Sequence, residues 1–153
     1  MNQSDDAIAD FTRAISGFDL RRSSIKDKRD YLNARARAYR LVRNFDAAMA
    51  DYNEAVSLFP ADAESYYNRA LLYSAMQDPD RAIADYTRAI TNFDPVRNSP
   101  AAKCDYLTDR SDIYRAKGDF EMAIADYNQA TAFHGACARA VKARSRVMGA
   151  VNH

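Results

Sequence analysis

The side chains that most often perform catalysis or hold metals are few in this chain. It has two histidines, His134 and His153, and two cysteines, Cys104 and Cys137. Neither histidine has a cysteine or carboxylate at a spacing typical of metal ligands. The sequence also has no glycine-rich phosphate loop, nucleophile elbow or HExxH motif. We therefore expect no catalytic residues, no metal site and no cofactor, and we interpret the chain as a non-enzyme.

Charge and hydropathy exclude two further classes of partner. The 153 residues carry 22 Lys and Arg against 21 Asp and Glu, so no overall field attracts nucleic acid or an anionic membrane. The amino terminus has no signal-peptide pattern, and no 18-residue apolar run is present. Two cysteines are too few for a disulfide framework and fit a reducing compartment. We expect a cytoplasmic protein that binds neither nucleic acid nor membrane.

One sequence pattern occurs four times along the chain. Its copies are DDAIADFTRAI, FDAAMADYNEAV, RAIADYTRAI and FEMAIADYNQAT, centred on Phe11, Tyr52, Tyr86 and Tyr127. The centres are 41, 34 and 41 residues apart, and a period of about 34 residues is typical of a helix–turn–helix solenoid. A longer period is present as well, because a shift of 75 residues aligns 5–60 with 80–135 at about half identity. We interpret this as a duplicated pair of repeats.

A second helical pattern precedes each of the last three copies. The stretches YLNARARAYR, YYNRALLYSA and YLTDRSDIYR each place apolar or small residues at spacings of 3, 4 and 7, as one face of a helix requires. Small residues at these points allow two helices to approach closely, and the tyrosines fill the remaining space. The sequence therefore predicts antiparallel helix pairs, which we name A (first) and B (second).

This pattern resembles that of the tetratricopeptide repeat (TPR) family. The 34-residue TPR unit has a large residue at position 4, small residues at positions 8 and 20, and aromatic residues at positions 11 and 24. Residues 29–62 meet the pattern with Leu32, Ala36, Tyr39, Ala48 and Tyr52. The resemblance implies an all-α, right-handed superhelical solenoid of about eight helices, and it covers nearly the whole chain. We expect one domain over 1–153, with a lone B helix at 5–18, full repeats at 29–62, 63–96 and 104–137, one-turn extensions near 24–28 and 99–103, and a capping A helix at 138–150.

Two recurring residue sets have a structural interpretation in this register. Seven of the ten tyrosines occupy repeat positions 4, 11 or 24, so we assign them to the core and not to stacking on bases. An arginine stands at position 7 of every A helix and an aspartate at position 23 of every B helix. We hypothesise that each aspartate pairs with the arginine of the following A helix, from Asp10–Arg35 to Asp126–Arg144. The alternative is that the arginines bind a ligand.

The resemblance implies a peptide or helix bound in a concave groove lined by the A helices. The groove positions map to Asn33, Arg37 and Arg40, then Tyr67, Asn68 and Leu71, then Thr108, Asp109, Asp112 and Arg115, and on the last helix Arg139, Lys142 and Arg146. The chaperone-binding subclass grips a C-terminal carboxylate with basic residues where this chain has Asp105 and Asp109. Two acids there would repel a carboxylate. A mixed-charge peptide is one alternative, and internal neutralisation of these acids by the bases of the last helix is the other.

We expect a non-enzymatic protein–protein interaction scaffold, or adaptor, that binds an extended peptide or helix in this groove. The first alternative is a self-associating structural module or a segment of a longer TPR protein, because the helix at 5–18 would leave one apolar side uncovered and could support a homo-oligomer. A small secretion chaperone of the TPR type is the second alternative, and the polar groove disfavours it.

Overall fold

The computed structural model describes residues 3–133 and 137–151, so the expectations for His134 and His153 lie outside the described residues. Within these ranges the chain forms eight helices and no strand. This confirms the all-α class and the number of helices. The helices are α1 (Gln3–Ser16), α2 (Ile25–Leu41), α3 (Phe45–Leu58), α4 (Ala63–Ala75), α5 (Pro79–Thr91), α6 (Pro100–Lys117), α7 (Phe120–Phe133) and α8 (Ala138–Val151).

Polar N-caps start the central helices. Ser24 accepts a hydrogen bond from the backbone N–H of Asp27, whose carboxylate accepts one from the backbone of Ser24 in return, so a capping box begins α2. Single side-chain caps begin α3 to α6 and satisfy N–H groups that a helix end leaves free. These caps are Asn44, Asp62, Asp78 and Ser99.

Each turn from an A helix to a B helix contains one residue with positive φ. Arg43 and Gln77 both have φ of 60°, and Gly118 has φ of 84°. Only glycine adopts this left-handed region without a steric cost, yet it is present in just one of these three turns. The turns reverse the chain so that the B helix runs back along its A helix.

Small residues and tyrosines form the interface between the paired helices. Ala36 of α2 packs with Ala48 and Tyr52 of α3, and all three side chains are fully buried. Tyr86 and Tyr127 occupy the same place in the next two pairs. An alanine at the crossing lets the backbones approach, and the tyrosine ring then fills the gap beside it, which gives native packing density.

Consecutive helices pack on one another along the whole described chain. In addition, α2 contacts α4 and α6 contacts α8, so the A helices also meet one another. The predicted groove residues therefore lie on A helices that are neighbours in space, as a shared binding surface requires. No helix in the described residues is both long and apolar enough to cross a membrane.

Candidate functional site

The arginines at position 7 are held by aspartates of their own repeat. Arg35 donates from Nε and Nη2 to the two carboxylate oxygens of Asp51, at 2.8 and 2.7 Å. The same two-bond contact joins Arg69 to Asp85 and Arg110 to Asp126. The hypothesis that each aspartate pairs with the following A helix is therefore wrong.

The geometry of the helix hairpin explains this pairing. Arg35 and Asp51 stand eight residues before and eight after Arg43, the positive-φ residue of the turn. Antiparallel helices bring such symmetric positions opposite each other, and the same symmetry holds about Gln77 and Gly118. The hydrogen bonds to Asp51 raise the pKa of Arg35. These arginines are occupied within the fold and are not offered to a ligand.

The same arginines do reach the preceding repeat, through a neutral acceptor. Arg110 donates from Nη1 to the hydroxyl of Thr87 at 2.8 Å, and Thr87 stands two residues after Asp85. The acceptors at the equivalent B-helix position are Thr12 for Arg35, Asn53 for Arg69 and Asn128 for Arg144. The guanidinium groups of Arg35, Arg69 and Arg110 thus each join their own B helix to the one before it. A contact between repeats exists, with a different acceptor from the one expected.

The groove residues of α2 differ in their burial and in which of their polar atoms already form hydrogen bonds. Asn33 is buried and donates from Nδ2 to the hydroxyl of Ser65 at 2.9 Å, while its Oδ1 is buried and no described residue donates to it. Arg37 is exposed and forms no hydrogen bond or ion pair with the described residues. Arg40 is half-buried, and its Nε has no partner. Burial raises the pKa of Tyr52 to about 12, and the neighbouring Arg40 guanidinium opposes that rise.

The groove residues of α4 are more deeply packed than the sequence predicted. The ring of Tyr67 lies 4.6 Å from the ring of Tyr106, centroid to centroid, and the Tyr67 hydroxyl donates to Asp109 at 2.8 Å. Tyr67 therefore connects α4 to α6 and does not project freely. Leu71 is half-buried against the core of this pair. Asn68 is buried, and its Nδ2 has no partner.

Two acids of α6, Asp109 and Asp112, are engaged by neighbouring side chains. Asp109 accepts from Tyr67 and forms an ion pair with Arg139 of α8. Burial raises the pKa of Asp109, while the charge of Arg139 opposes the rise. Asp112 accepts from the Tyr127 hydroxyl at 2.6 Å. Internal neutralisation by the last A helix, one of the two alternatives, therefore applies to Asp109.

Thr108 provides no surface to the groove. Its side chain is fully buried, and its hydroxyl donates to the backbone carbonyl of Cys104 at 2.7 Å. Thr108 faces the neighbouring helices, because α6 is packed on both sides. A hollow of about 390 Å³ lies instead between the end of α6 and α8. It is lined by Asp112, Arg115, Phe120, Ala143, Arg146 and Val147.

Cys104 and Cys137 form a disulfide, which sequence reasoning did not find and which does not fit the reducing compartment expected from the cysteine count. Their Cα atoms are 6.3 Å apart and their separation along the chain is 33 residues. That separation was a usable signal, because it is one less than the repeat length, so the two residues come at the starts of successive A helices. Both belong to the buried cluster around Tyr127. The bond connects the start of α6 to the start of α8.

Comparisons with known proteins agree with this architecture. A family model described as tetratricopeptide repeat matches residues 61–134, and a second one, described as TPR repeat, matches 36–77. The chain therefore belongs to the tetratricopeptide repeat family, and the fold is an all-α TPR solenoid. A search of curated proteins found no match.

Several solved TPR structures share the fold. The N-terminal domain of stress-induced protein-1 from C. elegans has a TM-score of 0.75 at 14% identity, covering 82% of this chain and 98% of that one. The first TPR of Spaghetti (RPAP3), bound to the HSP90 peptide SRMEEVD, has a TM-score of 0.71 at 18% identity, with 83% and 95% covered. The second TPR domain of human RPAP3, in complex with the HSP70 peptide SGPTIEEVD, has a TM-score of 0.69 at 18% identity, with 82% and 98% covered.

Proposed function

We propose that the chain is a non-enzymatic protein-interaction scaffold, working as one TPR domain over 1–153, that binds an extended peptide along α2, α4 and α6. The observation that carries this proposal is a pair of buried asparagines, Asn33 and Asn68, each with an amide atom that no group within 3–133 and 137–151 satisfies. A buried polar atom without a partner costs about 1–3 kcal/mol. A ligand that supplied the missing partners would recover that cost.

The hydrogen bonds around Ser65 fix the orientation of the first amide. The Ser65 hydroxyl donates to Asp62 at 2.6 Å, so it can only accept from Asn33. Asn33 must therefore present Nδ2 to Ser65, which leaves its Oδ1 as a free acceptor. Asn68 adds an unpaired donor on the next A helix. An extended peptide backbone supplies a matching N–H and C=O, and this supports a main-chain contact at these two positions.

The charges favour a peptide of mixed sign over an acidic tail. Arg37 is an exposed cation with no ion-pair partner in the part of the chain that the structure describes, and it can pair with one acidic side chain of the peptide. Further along, Asp105 is exposed and Asp109 already pairs with Arg139. The RPAP3 domains bind peptides that end in Glu-Glu-Val-Asp. In this chain an acidic C-terminus would meet carboxylates at α6, so we propose that it binds such tails weakly.

An affinity pull-down tests the groove and identifies partners together. The bait is the full chain, compared with the double variant Arg37→Ala/Asn68→Ala. We expect specific partners to be lost from the variant. The control is Arg21→Ala/Arg97→Ala, which removes two exposed arginines from loops outside the A helices and should retain every partner. Equal recovery by all three baits would rule out the groove as the binding surface.

A peptide titration tests the charge preference separately. Fluorescence anisotropy with SRMEEVD should show binding at least tenfold weaker than a peptide in which lysines replace the last two acidic residues, because lysine can pair with Asp105 while the acids repel it. Tighter binding of SRMEEVD would contradict the preference while leaving the groove proposal intact.

The cytoplasm is our proposed compartment, and the cysteine pair makes this testable. Disulfides persist mainly in oxidising compartments. Alkylation of intact cells followed by mass spectrometry should find Cys104 and Cys137 reduced if the protein is cytoplasmic. A bonded pair under those conditions would indicate secretion or another oxidising location.

A further inference from the structure

The two end helices carry complementary halves of one repeat. α8 has the register of an A helix and α1 that of a B helix, and among the described residues nothing packs on the faces that join A to B elsewhere. On α8, Val141 is 45% exposed, whereas Tyr66 and Leu107 at the same repeat position are 5% and 0% exposed. On α1 no residue is buried. Both faces thus expose side chains of types that the central repeats enclose.

Arg144 lacks the carboxylate that its three equivalents have. In Arg35, Arg69 and Arg110, Nε donates to an aspartate of the following B helix. In Arg144, Nη1 keeps the bond to Asn128 of the preceding helix, but Nε is buried and has no hydrogen-bond partner among the described residues. The guanidinium is therefore already held in the geometry of the other three, and the atom left without a partner is the one that an aspartate contacts in each of them.

Asp10 has the opposite deficiency. Its equivalents Asp51, Asp85 and Asp126 are buried against the arginine of the preceding A helix. The side chain of Asp10 is 66% exposed and pairs with Arg13 of its own helix, a surface contact that contributes little to stability. A carboxylate in the register of a buried ion pair is thus free to exchange partners.

The molecule contains its own template for joining these ends. The 75-residue period maps α4 onto α8 and α5 onto α1, so Arg69 corresponds to Arg144 and Asp85 to Asp10. α4 and α5 pack directly together, and Arg69 binds Asp85 with two hydrogen bonds of 2.6 and 3.0 Å. In the same mapping Val141 and Met148 take the places of Tyr66 and Tyr73, and Phe11 takes that of Tyr86. The apolar and the charged parts of the interface therefore match in one register.

We propose that the chain associates head to tail with a second copy of itself: α8 of one copy packs against α1 of the next as α4 packs against α5, with an ion pair between Arg144 and Asp10 of the next copy. The contact is heterologous, so it leaves a free α1 and a free α8 at the two ends. Further copies can add, and the mean mass should rise with concentration. The proposal is independent of peptide binding in the groove.

A charge swap tests the proposed register. Sedimentation of the full chain from about 1 µM to 1 mM should show a mass that increases with concentration. Arg144→Asp and Asp10→Arg should each weaken association tenfold or more, because each places like charges together. The double variant Asp10→Arg/Arg144→Asp should recover association, since Asp at 144 then meets Arg at 10 of the next copy. Arg97→Asp makes the same charge change in the loop between α5 and α6, where the arginine side chain is 81% exposed, and should behave as the unmodified chain.

The possible results separate this arrangement from others. A monomer throughout the concentration range overturns the proposal, and so does a folded double variant that does not recover. A symmetric dimer through α1 alone would be disturbed by Asp10→Arg and unaffected by Arg144→Asp. Far-UV circular dichroism of each variant shows whether the helices are intact, so loss of association can be distinguished from loss of fold.

Discussion

The middle and the ends of this molecule use the same residue pattern with different results. Between α2 and α7, each aspartate at position 23 is buried against an arginine and each central tyrosine is fully enclosed. In α1 the equivalent residues, Asp10 and Phe11, remain partly or largely exposed. The difference shows that burial depends on the partner helix, because the residues of the pattern become buried only when the other helix of the repeat packs on them.

The largest expected contrast is between the aromatic centres. Tyr86→Ala removes a ring that is 1% exposed and should lower the free energy of unfolding by about 3–5 kcal/mol. Phe11→Ala removes a half-buried ring and should cost about 1 kcal/mol. Urea unfolding of both variants at micromolar concentration measures the difference. Equal losses would mean that α1 is as well covered as the central helices.

The ion pairs give the next contrast. Asp85→Ala leaves the Arg69 guanidinium, which is 17% exposed, without its carboxylate and should cost about 3 kcal/mol. Asp10→Ala should change stability by no more than about 0.5 kcal/mol, because its present partner is a surface arginine. Adding Arg69→Ala to Asp85→Ala should recover part of the loss, since no unpaired charge then remains. A fully additive double variant would contradict a direct pair.

Much of this was accessible from the sequence, because one residue type repeated at one position marks a structural role. The tyrosines and alanines at the helix crossings could be assigned to the core from the period alone. The pairing expected from the repeat register is wrong for the arginines, because antiparallel packing brings Arg35 opposite Asp51, its symmetric position about the turn at Arg43.

The groove was harder to predict than the core. Which side chains reach it depends on contacts between elements, and a repeat register does not contain those contacts. Tyr67 is turned toward Tyr106 and Asp109 of another helix, and Thr108 is enclosed by packing from both sides. Residues of the same register thus differ in exposure because their neighbours differ.

Alkaline titration extends the comparison through tyrosine side chains that are present in the central helices and absent from α1. Burial raises the pKa of Tyr52 to about 12, above the ordinary value near 10. The folded state therefore favours the neutral phenol, and the stability that Tyr52 provides is complete below pH 10 and is lost as the pH rises toward 12. The loss should be on the order of 2 kcal/mol. Urea midpoints from pH 9 to 12 should fall less steeply for Tyr52→Phe, while the α1 position already has a phenylalanine.

The smallest contrast concerns the threonine hydroxyls through which an arginine binds the preceding repeat. Thr87→Val keeps the shape of the side chain but removes the acceptor for Arg110, and should cost about 1 kcal/mol. Thr91→Val is the matched control, because the Thr91 hydroxyl donates only to the backbone of its own helix. The difference between the two variants isolates the bond between repeats.

Thr12→Val applies the same change at the end of the solenoid. The bond from Arg35 to Thr12 is longer, at 3.1 Å against 2.8 Å for Arg110 to Thr87, and α1 has no buried residue to hold it in place. A longer hydrogen bond is a weaker one, so we expect about half the effect of Thr87→Val. Chemical denaturation of all three variants at one protein concentration provides the comparison. If Thr87→Val is no more destabilising than Thr91→Val, the arginines stabilise single repeats and do not couple neighbouring ones.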